Sequence, residues 1–255
     1  MGAEALLQLD HVTVSFNGFK ALNELSYTIV GGGLKVLIGP NGSGKSTLLD
    51  AVIGRVRPVE GRVVYQGRDI TAMPEHKIAQ LGIRRKFQAP GVLNGLTVEE
   101  NVAVAVRQSK GIWRNLRTGL PNKEKAKVEE VLRLVELTDK RLIRASHLGH
   151  GEKQWLEMGM VMGCEPDLLL LDEPTSGMTP SETTFTAKLV RQLAETTTVL
   201  VIDHDMSFVE ELGAPVSVLH QGRLLREGAM ETIRNDPEVV SVYLGRAVTK
   251  TDAHA

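Results

Sequence analysis

The chain has 255 residues, and its 30 Lys and Arg nearly balance 31 Asp and Glu, for a formal net charge of −1 at pH 7. This balance disfavours a globally basic nucleic-acid binder, and an aromatic content of only 4% argues against a base-stacking surface. The length suits one large domain or two small ones, and Cys164 as the single cysteine excludes an internal disulfide and a cysteine-built zinc site.

The first part of the chain predicts strands on both sides of a glycine-rich turn. Its first ten residues lack the basic start and apolar core of a secretory signal, and no run of 18 apolar residues predicts a membrane span. Apolar and polar residues alternate between Leu6 and Ile29, which predicts antiparallel strands with one solvated face. Further strands are expected at 34–38, 62–65 and 83–87, and helices at 46–53 and 74–81.

The pattern becomes helical between Thr97 and Cys164, which we interpret as a helical insertion in an α/β core. An apolar stripe at helical spacing supports this interpretation, and it consists of Val128, Val131, Leu132 and Val135.

The stretch 107–144 carries 11 Lys and Arg against 5 Asp and Glu. A solvated helical face is the simpler explanation of this excess. The alternative is a surface that meets a membrane-bound partner or anionic headgroups.

Strands and helices alternate again in the last third of the chain, which indicates a largely parallel sheet with ligands at the carboxyl ends of its strands. The Gln221-Gly222 pair between two apolar runs predicts a hairpin, and the chain after Arg246 is expected to fray. Strands are expected at 167–171, 198–202, 216–220 and 223–227, and helices at 181–193, from 205, at 230–235 and at 237–244.

Residues 39–46 fit the phosphate-loop pattern G-x-x-x-x-G-K-[ST] without mismatch, between a buried strand and a helix. Glycines let backbone N–H groups converge on phosphate oxygens, and the amino end of the helix favours negative charge. Lys45 would lie at the outer phosphates, and the hydroxyl of Ser46 suits Mg²⁺. The nucleotide-binding residues expected here are Gly39, Pro40, Asn41, Gly42, Ser43, Gly44, Lys45, Ser46 and Thr47.

An acidic pair follows the apolar run 168–171 and supplies the second half of a nucleotide site. Asp172 is expected beside the phosphate loop, where it can hold Mg²⁺ through water. Glu173 is expected where a carboxylate can polarise an attacking water.

Four further motifs, together with these two, point to a family. The segment 148–152, LGHGE, resembles the signature sequence of ATP-binding-cassette (ABC) ATPases. Gln88, the segment 176–179 and His204 resemble that family's Q-loop, D-loop and switch histidine. All occur in the family's order, and the resemblance covers essentially the whole chain.

The resemblance implies a role for each motif. Phe16 would stack on adenine, with Phe19 as the alternative. Gln88 would reach Mg²⁺ and the attacking water, and His204 would hydrogen-bond the γ-phosphate. The signature residues Gly149, His150, Gly151 and Glu152 would act on ATP held by a second cassette. The implied catalytic residues are Glu173, His204, Gln88 and Lys45, and the implied metal ligands are Ser46, Gln88 and Asp172.

The fold that the resemblance implies is α/β, a P-loop NTPase RecA-like core with an antiparallel β edge layer and a helical subdomain. A single cassette domain would span 1–255, with a core lobe at 1–95 and 165–245, a helical subdomain at 96–164 and a flexible tail at 246–255. Two cassettes, as a homodimer or heterodimer, would bind ATP and Mg²⁺ and drive transmembrane permease subunits at the cytoplasmic side of the inner membrane. A solute-binding protein would take part indirectly, and nucleic acid would not.

Within the family, the chain is most similar to the ATPase subunits of urea-type importers, a sister group of the branched-chain amino-acid importers. His150, the run 153–157, the segment 177–179 and the C-terminal segments 235–237 and 242–245 carry this likeness. None of these residues would touch the solute. Alternatives are the ATPase of an exporter, or a soluble ABC ATPase in translation or DNA repair. The soluble classes are disfavoured because the chain has neither a second cassette nor a long coiled coil.

Three positions depart from the family pattern. Gly149 replaces the usual serine, and a lost hydrogen bond to a charged group costs about 1.5–3 kcal/mol, so hydrolysis or dimerisation should weaken. Glu152 replaces the usual glutamine and adds negative charge on the side that faces a triphosphate. Asp203, before His204, is shorter than the glutamate expected there.

Overall fold

A computed structural model describes residues 5–86, 91–108 and 121–249, so Phe87 and Gln88 lie outside the described residues. Within these ranges the chain forms two sheets and a set of helices. The strands are β1 Ala5–Phe16, β2 Phe19–Val30, β3 Leu34–Ile38, β4 Glu60–Tyr65, β5 Arg68–Asp69, β6 Ile83–Lys86, β7 Leu168–Asp172, β8 Thr198–Ile202, β9 Val216–His220 and β10 Arg223–Gly228. The helices are α1 Lys45–Val52, α2 Glu75–Gln80, α3 Val98–Gln108, α4 Asn122–Leu134, α5 His150–Gly163, α6 Pro180–Ala194, α7 Met206–Leu212, α8 Met230–Asn235 and α9 Pro237–Thr249.

The larger sheet has the order β10-β9-β3-β8-β7-β6, in which only β10 runs antiparallel to its neighbour. Every residue of β7 and β8 is buried, because helices or the second sheet cover both faces of these central strands. Asp172 and Leu37 both lie beside Ile202 in the register. The segments that follow β3, β7 and β8 therefore leave the sheet side by side, and these segments contain the phosphate loop, Glu173 and His204.

The smaller sheet is antiparallel, with the order β2-β1-β4-β5. The predicted antiparallel pairing of the first two strands is confirmed, and Phe16 lies opposite Phe19 at the tip of their hairpin. Asn17 and Gly18 form the two-residue turn with φ of 50° and 88°, the left-handed conformation that such tight hairpins require. The two-residue strand β5 was not predicted.

The larger sheet separates two apolar cores. Leu168 and Leu170 contact the core shared with α1, α2 and the smaller sheet. Leu169 and Leu171 face the other core, which includes α3 to α7. Successive residues of a strand point to opposite faces, so one short leucine run serves both cores.

The helices α3, α4 and α5 fall within the stretch that was predicted to be helical. The predicted apolar stripe of α4 is buried, and it continues into Val135 just after the helix. A Cβ atom at Gly159 would lie only 2.9 Å from Val135 Cγ1 and 3.0 Å from Val131 Cγ1. The small residue on α5 thus lets α4 approach closely. Together with the sheets, these helices confirm the predicted α/β class with an antiparallel layer.

Several Lys and Arg side chains in the described part of the basic stretch 107–144 form ion pairs with nearby acids. These pairs favour the solvated-face interpretation over a dedicated anionic-membrane surface. The pairs are Arg107 with Glu124, Lys127 with Glu130 and Glu165, Lys140 with Glu152, and Arg141 with Glu99 and Glu129.

The last helix is longer than the predicted helix 237–244. α9 continues to Thr249, and Val239 in its first turn is buried in the core. Because the packed first turn has already nucleated the helix, each further residue adds a backbone hydrogen bond without a new nucleation penalty. In the ranges that the structure describes, no helix combines the length and apolarity needed to cross a membrane.

Candidate functional site

The loop between β3 and α1, together with the first turn of α1, forms most of a cavity of about 250 Å³. Gly44 has φ of 109°, and a Cβ atom there would lie 2.5 Å from the carbonyl oxygen of Ala21. Only glycine fits a position with both restrictions. The cavity is lined by Asn41, Gly42, Gly44, Lys45, Ser46, Thr47, Asp172 and Glu173, which brings the two predicted halves of the site together.

The polar groups of the loop fit a phosphate chain. The hydroxyl of Ser43 is buried and has no hydrogen-bond partner among the described residues. No side chain in those residues caps the amino end of α1, and its first turn contains no acidic residue. The Lys45 ammonium donates to the carbonyl oxygens of Gly39 and Pro40, at 2.7 and 3.2 Å. These donors and the glycine cradle suit an anion, because buried donors and helix amino ends both favour negative charge.

The expected metal ligands offer hard oxygen atoms of the kind that Mg²⁺ prefers. Ser46 is exposed at the start of α1, and Asp172 ends β7; both line the cavity. Gln88, the third expected ligand and a predicted catalytic residue, lies outside the described residues. Ser46 and Asp172 would thus hold Mg²⁺ together with phosphate oxygens.

A buried arginine joins Asp172, the expected metal ligand, to the helix α1 that follows the phosphate loop. Arg85 on β6 donates to Asp172 Oδ2 and to Asp50 Oδ1 of α1, each at 2.6 Å. All three side chains are largely shielded from water. Sequence reasoning missed Arg85, since no local motif marks a residue whose partners lie 35 and 87 positions away.

The predicted catalytic glutamate and switch histidine lie next to each other. The distance between Glu173 Oε1 and His204 Nδ1 is 3.5 Å, and the His204 side chain is 66% exposed. Glu173 has φ of 47°, a left-handed backbone that is costly for a residue with a side chain. Its N–H donates to the carbonyl oxygen of Ile202 at 2.7 Å. Strain held in place by the surrounding structure is typical of functional sites.

The signature residues start α5 and contact the segment after Glu173. His150 Nε2 lies 3.0 Å from the carbonyl oxygen of Ser176. Glu152 accepts the backbone N–H of Gly149 at 3.0 Å and pairs with Lys140. The extra negative charge of Glu152 is therefore offset within the chain, and the Gly149 N–H is already bonded to it. Gly151 is buried, and a Cβ atom there would clash with Glu182.

Both candidate aromatic residues are accessible at the hairpin tip. Phe16 is 48% exposed and Phe19 is 66% exposed. Strand β2 runs close to the phosphate loop, because a Cβ atom on Gly44 would lie 2.5 Å from the carbonyl oxygen of Ala21 and 3.0 Å from Leu22 Cδ2. Either ring is available to an adenine, so the choice between them stays open.

A second unpredicted contact is a buried ion pair between β6 and the signature helix. Lys86 Nζ lies 3.8 Å from Glu157 Oε2, and both side chains are buried. Burial lowers the pKa of Lys86 and raises that of Glu157, since desolvation disfavours both charged forms. Glu157 Oε1 also accepts the N–H of Gly91 at 3.0 Å. Glu157 on α5 therefore contacts both Lys86 and Gly91.

Comparisons of the sequence and of the structure with known proteins both find ABC transporter proteins. A family model described as ABC transporter matches residues 22–176. The high-affinity branched-chain amino acid transport ATP-binding protein LivG of Escherichia coli (strain K12) is 32% identical, and the match covers 96% of this chain and all of LivG. The corresponding protein BraF of Pseudomonas aeruginosa is 33% identical over 95% of this chain and 98% of its own. The solved ADP conformation of an ATP-binding cassette of an ABC transporter superposes with a TM-score of 0.81, at 28% identity, covering 95% of this chain and 99% of that one.

Proposed function

The chain belongs to the ABC transporter family as an ATPase, and we propose that it is the ATP-hydrolysing subunit of an importer of a small polar solute. The observation that carries this proposal is one cavity lined by the phosphate loop, Asp172 and Glu173. Groups that would donate hydrogen bonds to phosphate, a carboxylate that would hold Mg²⁺ and a candidate general base therefore line the same cavity.

In the proposed reaction, Glu173 accepts a proton from water as the water oxygen bonds to the γ-phosphorus of ATP and the bond to the ADP oxygen breaks. Lys45 and His204 stabilise the negative charge on the transferred group. Bound Mg²⁺, held by Ser46 and Asp172, would neutralise charge on the β- and γ-phosphates. The exposed His204 side chain is free to meet the nucleotide, because packing does not confine it.

Two cassettes would sandwich two ATP molecules, with the signature residues 149–152 of each acting on the nucleotide of the other. Closure would drive transmembrane permease subunits through alternating access at the cytoplasmic side of the inner membrane, and hydrolysis would reset them. The second cassette would be a copy of this chain or a different ATPase.

Urea is the proposed solute, on the likeness of His150, the run 153–157 and the segment 177–179 to urea-type importers. Branched-chain amino acids are the second candidate, favoured by relatives such as LivG and BraF, whose names state that activity. Uptake of labelled urea and labelled leucine, in cells with and without the gene, separates the two.

The catalytic assignment is tested by the substitution Glu173→Gln, with Glu195→Gln at an exposed position as the matched control. We expect Glu173→Gln to keep ATP binding and to lose about 10²–10⁴-fold in turnover, the usual contribution of a general base. Glu195→Gln should leave turnover unchanged. Near-normal turnover of Glu173→Gln would refute the role. Co-purification with ribosomes or DNA instead of membrane permeases would refute the importer assignment.

A further inference from the structure

We propose that Asp203 is a positioning residue that fixes the switch histidine relative to the catalytic glutamate. The proposal deepens the proposed function and rests on the roles given there to Glu173 and His204. Asp203 itself does not line the nucleotide cavity.

The carboxylate of Asp203 joins two loops through four hydrogen bonds. Its Oδ1 atom accepts the backbone N–H groups of His204 and Asp205, at 2.7 and 3.0 Å. Its Oδ2 atom accepts the hydroxyl of Thr175 at 2.7 Å and the N–H of Thr175 at 3.4 Å. One oxygen therefore holds the His204 turn, and the other holds the turn that follows Glu173.

The placement of this carboxylate follows from the sheet. β7 and β8 are adjacent and parallel, with Asp172 opposite Ile202, so the next residues of both strands leave the sheet together. Asp203 is 1% exposed, and only an acceptor with two oxygens can satisfy donors on both sides. The short aspartate side chain suits this spacing, because its oxygens reach the backbone of the two residues that follow it. The departure from the expected glutamate thus has a structural use.

The restraint matters because the positions of the two catalytic side chains depend on the backbone that carries them. The His204 ring is mostly exposed, so its position depends on the backbone that carries it. Glu173 has a left-handed backbone, which relaxes unless its neighbours hold it. The Ile202 carbonyl oxygen holds Glu173 itself, and Asp203 holds Thr175 two residues later. A misplacement of about 1 Å in a catalytic group can cost about 10²-fold in rate.

The test compares Asp203→Ala, Asp203→Asn and Thr175→Val with Asp236→Ala in the full chain. Asp236 is a matched control, because its Oδ1 atom likewise accepts two backbone N–H groups, those of Glu238 and Val239, away from the cavity. We expect Asp203→Ala to lower kcat by about 10- to 100-fold with the ATP KM within about twofold. Asp236→Ala should lower thermal stability with kcat unchanged.

The Asp203→Asn variant separates a loss of positioning from a failure to fold, because asparagine has the same size and shape as aspartate. Its oxygen keeps both bonds to the His204 turn, but its amide group cannot accept the N–H of Thr175. We expect an intermediate kcat. Adding Thr175→Val should cost less in Asp203→Asn than in the wild type, because the Thr175 hydroxyl there meets a neutral amide instead of a charged carboxylate.

Two results would overturn the inference: a kcat of Asp203→Asn and Asp203→Ala no lower than that of Asp236→Ala, or KM rising in parallel with the loss of kcat. Glu173→Gln is measured in the same series. If Glu173→Gln turns over normally, the proposed function fails; if it is inactive while the Asp203 variants are normal, only the inference fails.

Discussion

The buried pair of Lys86 and Glu157 gives the most sharply defined stability prediction. In Lys86→Met the side chain keeps its approximate volume but loses its charge, which leaves Glu157 buried with the Gly91 N–H as its described hydrogen-bond donor. Removing one partner of a buried ion pair costs about 3–5 kcal/mol. Because Gly91 still donates to Glu157, we expect the lower end, about 3 kcal/mol. For a domain of this size that is a fall in Tm of roughly 6–12 °C.

The double substitution Lys86→Met with Glu157→Met should recover at least half of this loss, since apolar side chains of similar volume often replace a buried pair without cost. Urea unfolding of the wild type, both single variants and the double variant measures the coupling. The control is Lys188→Met, which breaks an exposed pair with Glu136 and should cost less than about 1 kcal/mol. A Lys86→Met variant as stable as the wild type, or a double variant less stable than Lys86→Met, would refute the reasoning.

Three further predictions concern the site and its surroundings. The pKa of Asp205 is lowered from its ordinary value of 3.8, mainly by the hydrogen bond from the Ser207 hydroxyl. The ionised carboxylate therefore stabilises the fold at pH values above 3.8, and this stabilisation is lost as the pH falls through the lowered pKa. Asp205→Asn should therefore lose less stability than the wild type between pH 5 and pH 2 (about the range over which a lowered carboxyl titrates), measured by urea unfolding at each pH. Gly149→Ser should raise the ATPase rate by about tenfold or more, because it restores a hydrogen-bond donor to a charged group; equal rates of the variant and the wild type would show that Gly149 does not slow hydrolysis. Arg85→Met should raise severalfold the Mg²⁺ concentration needed for half-maximal ATP binding, because Asp172 loses the group that orients it; calorimetry in EDTA should show unchanged metal-free binding, and an unchanged Mg²⁺ requirement would contradict this role.

The elements and the family could be predicted because their signals are local. The run 168–171 predicts a buried strand, and Gln221-Gly222 predicts a hairpin; β7, β9 and β10 have these forms. The phosphate loop and the acidic pair each carry their own spacing, so their meeting in one cavity follows from the order of a parallel sheet. The exact end of α9 was not predicted, since helix ends depend on tertiary packing.

The side-chain pairs that organise the site could not be predicted. Arg85 and Lys86 are neighbours on one strand and point to opposite faces, and each finds its acidic partners only when distant segments come together. Periodicity assigns both residues to a strand without indicating which carboxylate each meets. The same holds for Asp203, because its bond with Thr175 forms only when β7 and β8 lie side by side.

The most direct test of the central claim, that the loop ending at Lys45 binds the phosphates of ATP, is titration calorimetry of ATP with Mg²⁺ into the purified chain and into Lys45→Ala. We predict saturable binding to the wild type that is lost in Lys45→Ala. A wild-type protein with no measurable affinity for ATP, or a Lys45→Ala variant that binds as tightly, would contradict the account.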